Sequence, residues 1–259
     1  MLATSPLIIN LIVVKFSVTL KRQAVPNPEM NSGDEKETKE YIKNLGIEYR
    51  FGCYSEKNPE ACHLLGDYLD AIQKDMEKAM KVYKANCDDA AYPRSCFQYG
   101  RLLMRDKNIT EQEKLDVAPS YFEKGCEGNH PESCVMNGIG QLIKAAGNQD
   151  TTLYAKALEN FKKSCALNNP LGCFQASGLL LVGVERANMP PNKPLAFEYA
   201  VKACDLDDLR GCVNASIMCR KGDGIPENLQ KAEEFKKKAL ELQKMYTHDG
   251  QGIQFQQGI

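Results

Sequence analysis

The sequence lacks several patterns that would indicate an enzyme or a nucleic-acid-binding protein. None of its ten serines has a lysine three residues later, and no glycine-rich G-x-G-x-x-G phosphate-binding pattern occurs. Its 33 basic and 34 acidic residues give a net charge of −1, so no overall field attracts nucleic acid or an anionic membrane. We therefore predict a protein without enzymatic activity that does not bind nucleic acid.

The chain also lacks a long apolar run and the usual spacing of metal-binding cysteines. The apolar stretch from Pro6 to Val14 is followed by a lysine, whereas a membrane-spanning helix needs about 20 apolar residues. No C-x2-C pattern is present, and the chain contains only three histidines. We predict no membrane span, no bound metal and no cofactor.

Cysteine is abundant, and ten of the eleven cysteines form five pairs with seven or eight residues between the two members. The pairs are Cys53 with Cys62, Cys87 with Cys96, Cys126 with Cys134, Cys165 with Cys173, and Cys204 with Cys212. In a continuous helix, the Cα atoms of such a pair would lie about 12 Å apart, whereas a disulfide needs roughly 4.4–6.8 Å. The members of a pair are therefore either unrelated or joined across a reversal of the chain.

Proline marks the reversal in four of the five pairs. Pro59, Pro93, Pro131 and Pro170 each stand three residues before the second cysteine, and Leu209 takes this place in the fifth pair. Proline is favoured in the first turn of a helix, and the segments before the first cysteines have the apolar spacing of amphipathic helices. We predict a helix, a tight turn and a second helix at each pair, with a disulfide across the turn.

The pairs recur with a nearly constant period. Their first cysteines lie 34, 39, 39 and 39 positions apart, and each period holds two predicted helices. This organisation is typical of an α-solenoid, in which each repeat packs against its neighbours. We predict an all-α solenoid of five helix-turn-helix repeats, preceded by one unpaired helix and stapled by disulfides.

Small residues at two positions of each repeat indicate where its two helices cross closely. The first set lies four residues after the second cysteine and comprises Gly66, Gly100, Gly138, Ser177 and Ser216. The second set lies in the other helix and comprises Ala79, Ala118, Ala157, Ala196 and Ala232. Glycine inside a helix costs about 0.5–1 kcal/mol relative to alanine, so we expect tight packing to offset this cost.

The eleventh cysteine and the two ends of the chain differ from the repeats. Cys219 lies at an apolar position of a predicted helix, and we expect a buried, unreactive thiol there. We divide the chain into an N-terminal extension (1–35), a repeat solenoid (36–246) and a disordered polar tail (247–259). Three interpretations of the extension stay open: a signal peptide, a mitochondrial transit segment, or sequence upstream of a translation start at Met30.

The repeat pattern resembles the Sel1-like repeat in its disulfide-linked form, which also occurs in the cysteine-rich Hcp proteins of bacteria. The pattern C-x(3)-[G/S], followed by alanine, an aromatic residue and the next cysteine, covers roughly Thr38 to Tyr246. The stretches CYSEKNPEACHLLGDYL, CDLDDLRGCVNASIMCRKGDGI and KAEEFKKKALEL further resemble an animal family of Sel1-repeat proteins that act in cytochrome c oxidase assembly.

The resemblance implies a protein of the mitochondrial intermembrane space that is oxidised by a thiol-oxidising import relay. It further implies a helical scaffold, expected to be monomeric, whose partners are proteins of the assembly of cytochrome c oxidase, respiratory complex IV. Two alternatives remain at this point. One is a thiol-disulfide redox factor, and the other is a secreted protein that binds β-lactams, as some Hcp proteins do.

Reduction of the disulfides should strongly destabilise the protein. Each disulfide closes a loop of about nine or ten residues and contributes roughly 2–3 kcal/mol, because it restricts the unfolded chain. Since solenoid repeats contact only their neighbours, they are individually weak. We expect circular dichroism melts to show a large decrease in melting temperature when reductant is added. An unchanged melting temperature would contradict the predicted disulfides.

Overall fold

The computed structural model describes residues 32–148 and 150–248, and most of this part is helical. The described residues form eleven α-helices and one short 3-10 helix, Glu185–Ala187. The α-helices are α1 (Ser32–Tyr54), α2 (Pro59–Ala71), α3 (Met76–Ala90), α4 (Pro93–Arg105), α5 (Glu111–Glu127), α6 (Pro131–Asn148), α7 (Thr152–Ala166), α8 (Pro170–Val182), α9 (Lys193–Asp205), α10 (Leu209–Lys221) and α11 (Leu229–His248).

The predicted fold class is confirmed. Helix α1 is the unpaired leading helix, and the next ten helices form five repeats: α2–α3, α4–α5, α6–α7, α8–α9 and α10–α11. Each helix packs against the next one along the chain, and the first helices of neighbouring repeats also touch in the pairs α2–α4, α6–α8 and α8–α10. This packing between neighbours defines an α-solenoid.

The helices extend slightly beyond the predicted limits of the solenoid. Helix α1 begins at Ser32, inside the predicted extension, and α11 continues to His248, inside the predicted tail. Residues 1–31 and 249–259 lie outside the described residues, so the interpretations of the N-terminal segment and of the tail stay predictions. Within the described part, no helix combines the length and the apolar character that crossing a membrane requires.

Polar side chains cap the first helix of four repeats. Side-chain oxygens of Asn58, Asn169 and Asp208 accept hydrogen bonds from backbone N–H groups in the first turn of α2, α8 and α10. In α6, the Nδ1 atom of His130 accepts a bond from the Ser133 N–H at 3.3 Å. These bonds satisfy donors that would otherwise lack a partner at a helix start. Tyr92, before α4, makes no such bond.

The residue before each of these caps has a left-handed backbone conformation, which the sequence analysis did not anticipate. The five residues, with φ between 48° and 63°, are Lys57, Ala91, Asn129, Asn168 and Asp207. Asparagine and aspartate tolerate this conformation, so their presence in three of the five turns was a usable signal. Lysine and alanine tolerate it poorly, which is why the signal did not extend to the first two turns.

The small residues of the first helices lie where the two helices of a repeat cross, and they are accommodated in two different ways. In the first three repeats, a Cβ atom added at Gly66, Gly100 or Gly138 would overlap an aromatic ring, namely that of Tyr83, Phe122 or Phe161. In the last two repeats, the hydroxyls of Ser177 and Ser216 donate hydrogen bonds to the carbonyls of Ala196 and Ala232, at 2.8 and 2.7 Å. All five alanines of the second helices are 0–1% exposed.

The residue four positions after the alanine decides between these two arrangements. It is aromatic in the first three repeats, and the ring fills the space above the glycine. In the last two repeats it is Ala200 or Lys236, so no ring lies there and a serine side chain fits. The same helix crossing is therefore packed in two ways. Either an aromatic ring lies over a glycine, or a serine hydroxyl donates a hydrogen bond to a backbone carbonyl.

Substitution of Gly138 by alanine should destabilise the protein, whereas the same substitution at Gly140 should not. An added Cβ at Gly138 would lie 2.6 Å from Cε1 of the fully buried Phe161 ring, and such overpacking costs about 1–3 kcal/mol. An added Cβ at Gly140 meets no atom within 4 Å, so Gly140→Ala should stabilise the helix by about 0.5–1 kcal/mol. The measurement is the free energy of unfolding from chemical denaturation under oxidising conditions.

A double variant tests the assigned cause. Phe161→Leu should cost less in the Gly138→Ala background than in the parent protein, because the smaller side chain relieves the overlap. Equal changes in the free energy of unfolding for Gly138→Ala and Gly140→Ala would contradict the proposed overlap with the Phe161 ring.

Candidate functional site

The structure brings the two cysteines of each predicted pair together across the turn between repeats. All five pairs are disulfide-bonded, with Cα–Cα distances of 4.4–4.8 Å, so the chain reverses at each pair. Nine of the ten bonded cysteines are at most 6% exposed, and Cys62 is half-buried. Their burial places the sulfur atoms in the core between neighbouring repeats.

A second set of residues beside the disulfides was missed in the sequence analysis. It consists of the residues directly before the two cysteines of each pair, which contact each other across the turn. The pairs are Gly52 with Ala61, Asn86 with Ser95, Gly125 with Ser133, Ser164 with Gly172, and Ala203 with Gly211. Four of them contain a glycine whose added Cβ would overlap its partner, and Asn86 instead donates a 2.7 Å hydrogen bond to Ser95. The sequence feature that could have revealed these contacts is that only small or short polar residues precede the paired cysteines.

Neighbouring turns also contact each other. The Asn86 side chain donates a hydrogen bond to the Pro59 carbonyl at 2.8 Å, and Ser164 Oγ donates one to the Pro131 carbonyl at 2.9 Å. The ammonium of Lys163 donates to the Cys126 carbonyl at 2.6 Å. Hydrogen bonds therefore connect the first turn with the second and the third turn with the fourth.

The unpaired cysteine lies apart from this arrangement, within α10. Cys219 is completely buried, and its burial raises the pKa of the thiol. The thiolate is the nucleophilic form of cysteine, so a raised pKa and the lack of exposure both make this thiol unreactive. The structure therefore places Cys219 in the core of the last repeat.

A buried polar network connects the first two repeats around His63, a residue to which the sequence analysis assigned no role. Nδ1 of His63 lies 3.2 Å from Ser95 Oγ, and Ser95 Oγ already accepts a bond from Asn86. The Ser95 hydroxyl can therefore donate to Nδ1 only while that nitrogen is unprotonated. Nε2 faces Asp67 at 3.6 Å, and the ring is packed against Tyr83 and Tyr92.

His63 lies at the floor of a surface cleft of about 280 Å³ between the first helices of the first three repeats. Its lining comprises His63, Asp67, Arg94, Phe97, Gln98, His130 and Glu132. Burial is the main cause that lowers the pKa of both His63 and His130. Among the described residues, no group of three or more histidine, cysteine or carboxylate side chains is placed to hold a metal ion.

Comparison with known families identifies the repeats. The family model for the Sel1 repeat matches residues 59–84, 137–169, 171–208 and 210–243. A solved structure titled as a Sel1 repeat protein from Oxalobacter formigenes superposes with a TM-score of 0.59 at 19% identity, over 79% of this chain and 83% of that chain. At this identity, the structural similarity supports the fold alone.

Curated relatives match along most of the chain. A protein of Drosophila melanogaster named cytochrome c oxidase assembly factor 7 homolog is 41% identical over 87% of this chain and 96% of its own length. The Xenopus tropicalis protein named cytochrome c oxidase assembly factor 7 is 34% identical over 86% of this chain and 96% of its own length.

Acidification from pH 7.5 to 5.5 should destabilise the protein through its buried histidines. The folded-state pKa of His63 is lowered from the ordinary value of 6.5, so the unfolded chain binds more protons as the pH falls below about 6.5. The stability is therefore complete above pH 6.5 and decreases below it, by at most about 1.4 kcal/mol per pH unit for one histidine. His130 contributes in the same direction.

The substitution His63→Phe should reduce this loss of stability, since phenylalanine keeps an aromatic ring between Tyr83 and Tyr92 but does not titrate. Free energies of unfolding at the two pH values measure the effect, and His130→Gln provides the comparison for the second histidine. The assignment is wrong if the parent protein and His63→Phe lose the same free energy between pH 7.5 and 5.5.

Proposed function

Because the chain belongs to the Sel1-repeat family of cytochrome c oxidase assembly factor 7, we propose that it is a non-enzymatic scaffold for cytochrome c oxidase assembly in the mitochondrial intermembrane space. The observation that carries this proposal is the match with relatives of that name over 86–87% of the chain. The match extends across the repeat array and is not confined to one repeat.

The disulfides support the choice of compartment. Disulfides persist where the surroundings oxidise thiols, and five of them in one chain are incompatible with a reducing environment. Among the compartments of the mitochondrion, the intermembrane space has a thiol-oxidising import relay. We therefore propose that this relay introduces the five disulfides after import.

The burial of the sulfur atoms supports a structural role for the disulfides over a redox role. A catalytic thiol needs to be accessible and to have a low pKa. Nine bonded cysteines are at most 6% exposed, and burial raises the pKa of the free Cys219 thiol. A scaffold requires only that the disulfides hold neighbouring repeats in register, which their positions achieve.

The proposed function predicts that this chain restores cytochrome c oxidase in animal cells that lack their own assembly factor 7. Drosophila cells without the 41% identical relative are the suitable host. We expect the amount of assembled oxidase on native gels and the oxidase activity to return toward the parental level. Respiratory complex III provides the internal control and should not change.

Localisation and oxidation are measured in the same cells. The chain should resist protease in intact mitochondria, become accessible once the outer membrane is opened, and migrate as an oxidised species on non-reducing gels. A chain that is oxidised in the intermembrane space but leaves the oxidase unrestored would overturn the assembly function. A chain that still resists protease after the outer membrane is opened lies in the matrix, and this result would overturn the proposed compartment.

A further inference from the structure

The first helices of the last three repeats share an exposed apolar face. Residues one, five and nine positions after the second cysteine lie on one stripe of a helix, because they are four residues apart. On this stripe Val135 is buried, the Phe174 ring is covered by the Arg210 guanidinium at 4.4 Å, and the last position of α10 is Lys221. We define the apolar face by the six remaining stripe residues, Ile139, Ile143, Gly178, Val182, Val213 and Ile217. Four of them, Ile143, Val182, Val213 and Ile217, are 42–54% exposed. The exposed face of a solvated helix normally carries polar side chains, so this face differs from the usual pattern.

The same stripe in the first two repeats carries charged side chains at its middle position. In α2 this position is Asp67, which lies 3.6 Å from His63 on the same stripe. In α4 it is Arg101, whose guanidinium lies 3.5 Å from Asp70, between Phe97 and Arg105. The middle of the stripe is therefore charged and paired in the first two repeats and apolar in the last three.

Gly178 lies at the middle of the apolar face and presents no side chain there. A Cβ atom added there would meet nothing within 4 Å, in contrast to Gly66, Gly100 and Gly138, where a ring occupies the space. Glycine inside a helix costs about 0.5–1 kcal/mol relative to alanine. No packing contact among the described residues requires glycine at this position, so the helix surface at Gly178 is uncovered and a partner side chain can approach it closely.

The three helices that carry the apolar face have more basic than acidic side chains. Helices α6, α8 and α10 carry one acidic residue, Glu132, and four basic residues, Lys144, Arg210, Arg220 and Lys221. Arg210 is paired with Asp208 at 2.6 Å, and Arg220 lies 3.8 Å from Glu233. Lys144 and Lys221 form no ion pair within the described residues, and both lie near the carboxyl ends of their helices. Their field favours an anionic partner.

We propose that this apolar face binds an amphipathic helix of a partner protein whose polar side is acidic. Adjacent helices pack about 8–10 Å apart, so the three first helices extend over about 20–30 Å, the length of a helix of about 14–18 residues. Apolar side chains of the partner cover Val182 and Ile217, one side chain packs on the helix surface at Gly178, and carboxylates approach Lys144 and Lys221. This assignment rests on the scaffold function proposed above and adds the chemistry of the partner.

Two synthetic peptides test the assignment with the purified, oxidised full-length chain. Both are labelled amphipathic helices of about 18 residues with leucine at the same positions, and their polar positions are glutamate in one and lysine in the other. We expect fluorescence anisotropy to show binding of the glutamate peptide, weakened by salt, and at least about tenfold weaker binding of the lysine peptide. Equal affinities for the two peptides, or no binding of the glutamate peptide, would overturn the proposal.

Variants locate the binding to the apolar face. Gly178→Glu places a carboxylate on the apolar face and should weaken binding of the glutamate peptide by about tenfold, whereas Gly178→Ala should change it by less than about twofold. Lys221→Glu should weaken binding roughly fivefold. Lys107→Glu makes the same change of charge in the exposed α4–α5 loop and should have no effect. Equal effects of Lys221→Glu and Lys107→Glu would overturn the location.

Failure of the proposed binding face and failure of the proposed assembly function give different results. The peptide measurements use purified protein, with melting temperatures to verify that each variant is folded. Loss of peptide binding in a chain that still restores the oxidase overturns the apolar face as the partner site. Normal peptide binding in a chain that fails to restore the oxidase overturns the assembly function alone.

Discussion

The close approach of two helix ends at each disulfide is the constraint on which the rest of the structure depends. Cα atoms only 4.4–4.8 Å apart leave no room for large side chains beside the cysteines. The neighbouring positions consequently hold pairs such as Gly125 with Ser133 or Ala203 with Gly211. Once the turn is fixed in this way, the second helix of one repeat and the first helix of the next have a set orientation. The repeated orientation then builds the solenoid.

Much of this architecture could be predicted from the sequence because it depends on residues with restricted chemistry. Proline at the first helical turn, cysteine at a fixed spacing and the period of 39 residues each permit few structures, and together they permit one. The left-handed residues were harder to predict, since Lys57 and Ala91 give no local sign of that conformation. The choice between Gly138 under Phe161 and Ser177 on the Ala196 carbonyl depends on a contact between two helices. Such a contact becomes visible only when the helices are aligned in space.

The candidate site was less predictable than the fold for the same reason. The network of His63, Ser95 and Asn86 joins residues from three helices, and none of the three has a distinctive sequence neighbourhood. The apolar face likewise arises from residues such as Ile143, Val182 and Ile217, which are 35 or more positions apart and resemble ordinary core residues in the sequence. Their exposure distinguishes them from the core, and exposure follows from the packing of whole repeats. One stripe of the first helices thus carries paired charges in the first two repeats and exposed apolar side chains in the last three.

The buried thiol of Cys219 has a consequence for the order of events while the chain matures. Proximity along the chain favours correct pairing elsewhere, because each cysteine has one near neighbour and the next candidate lies much farther away. Cys212 is the exception, since Cys219 is about as close to it as Cys204 is. In a formed α10, a separation of seven residues corresponds to about 10 Å, too far for a bond between Cys212 and Cys219. Formation of α10 before its cysteines are oxidised therefore favours the correct disulfide in the last repeat.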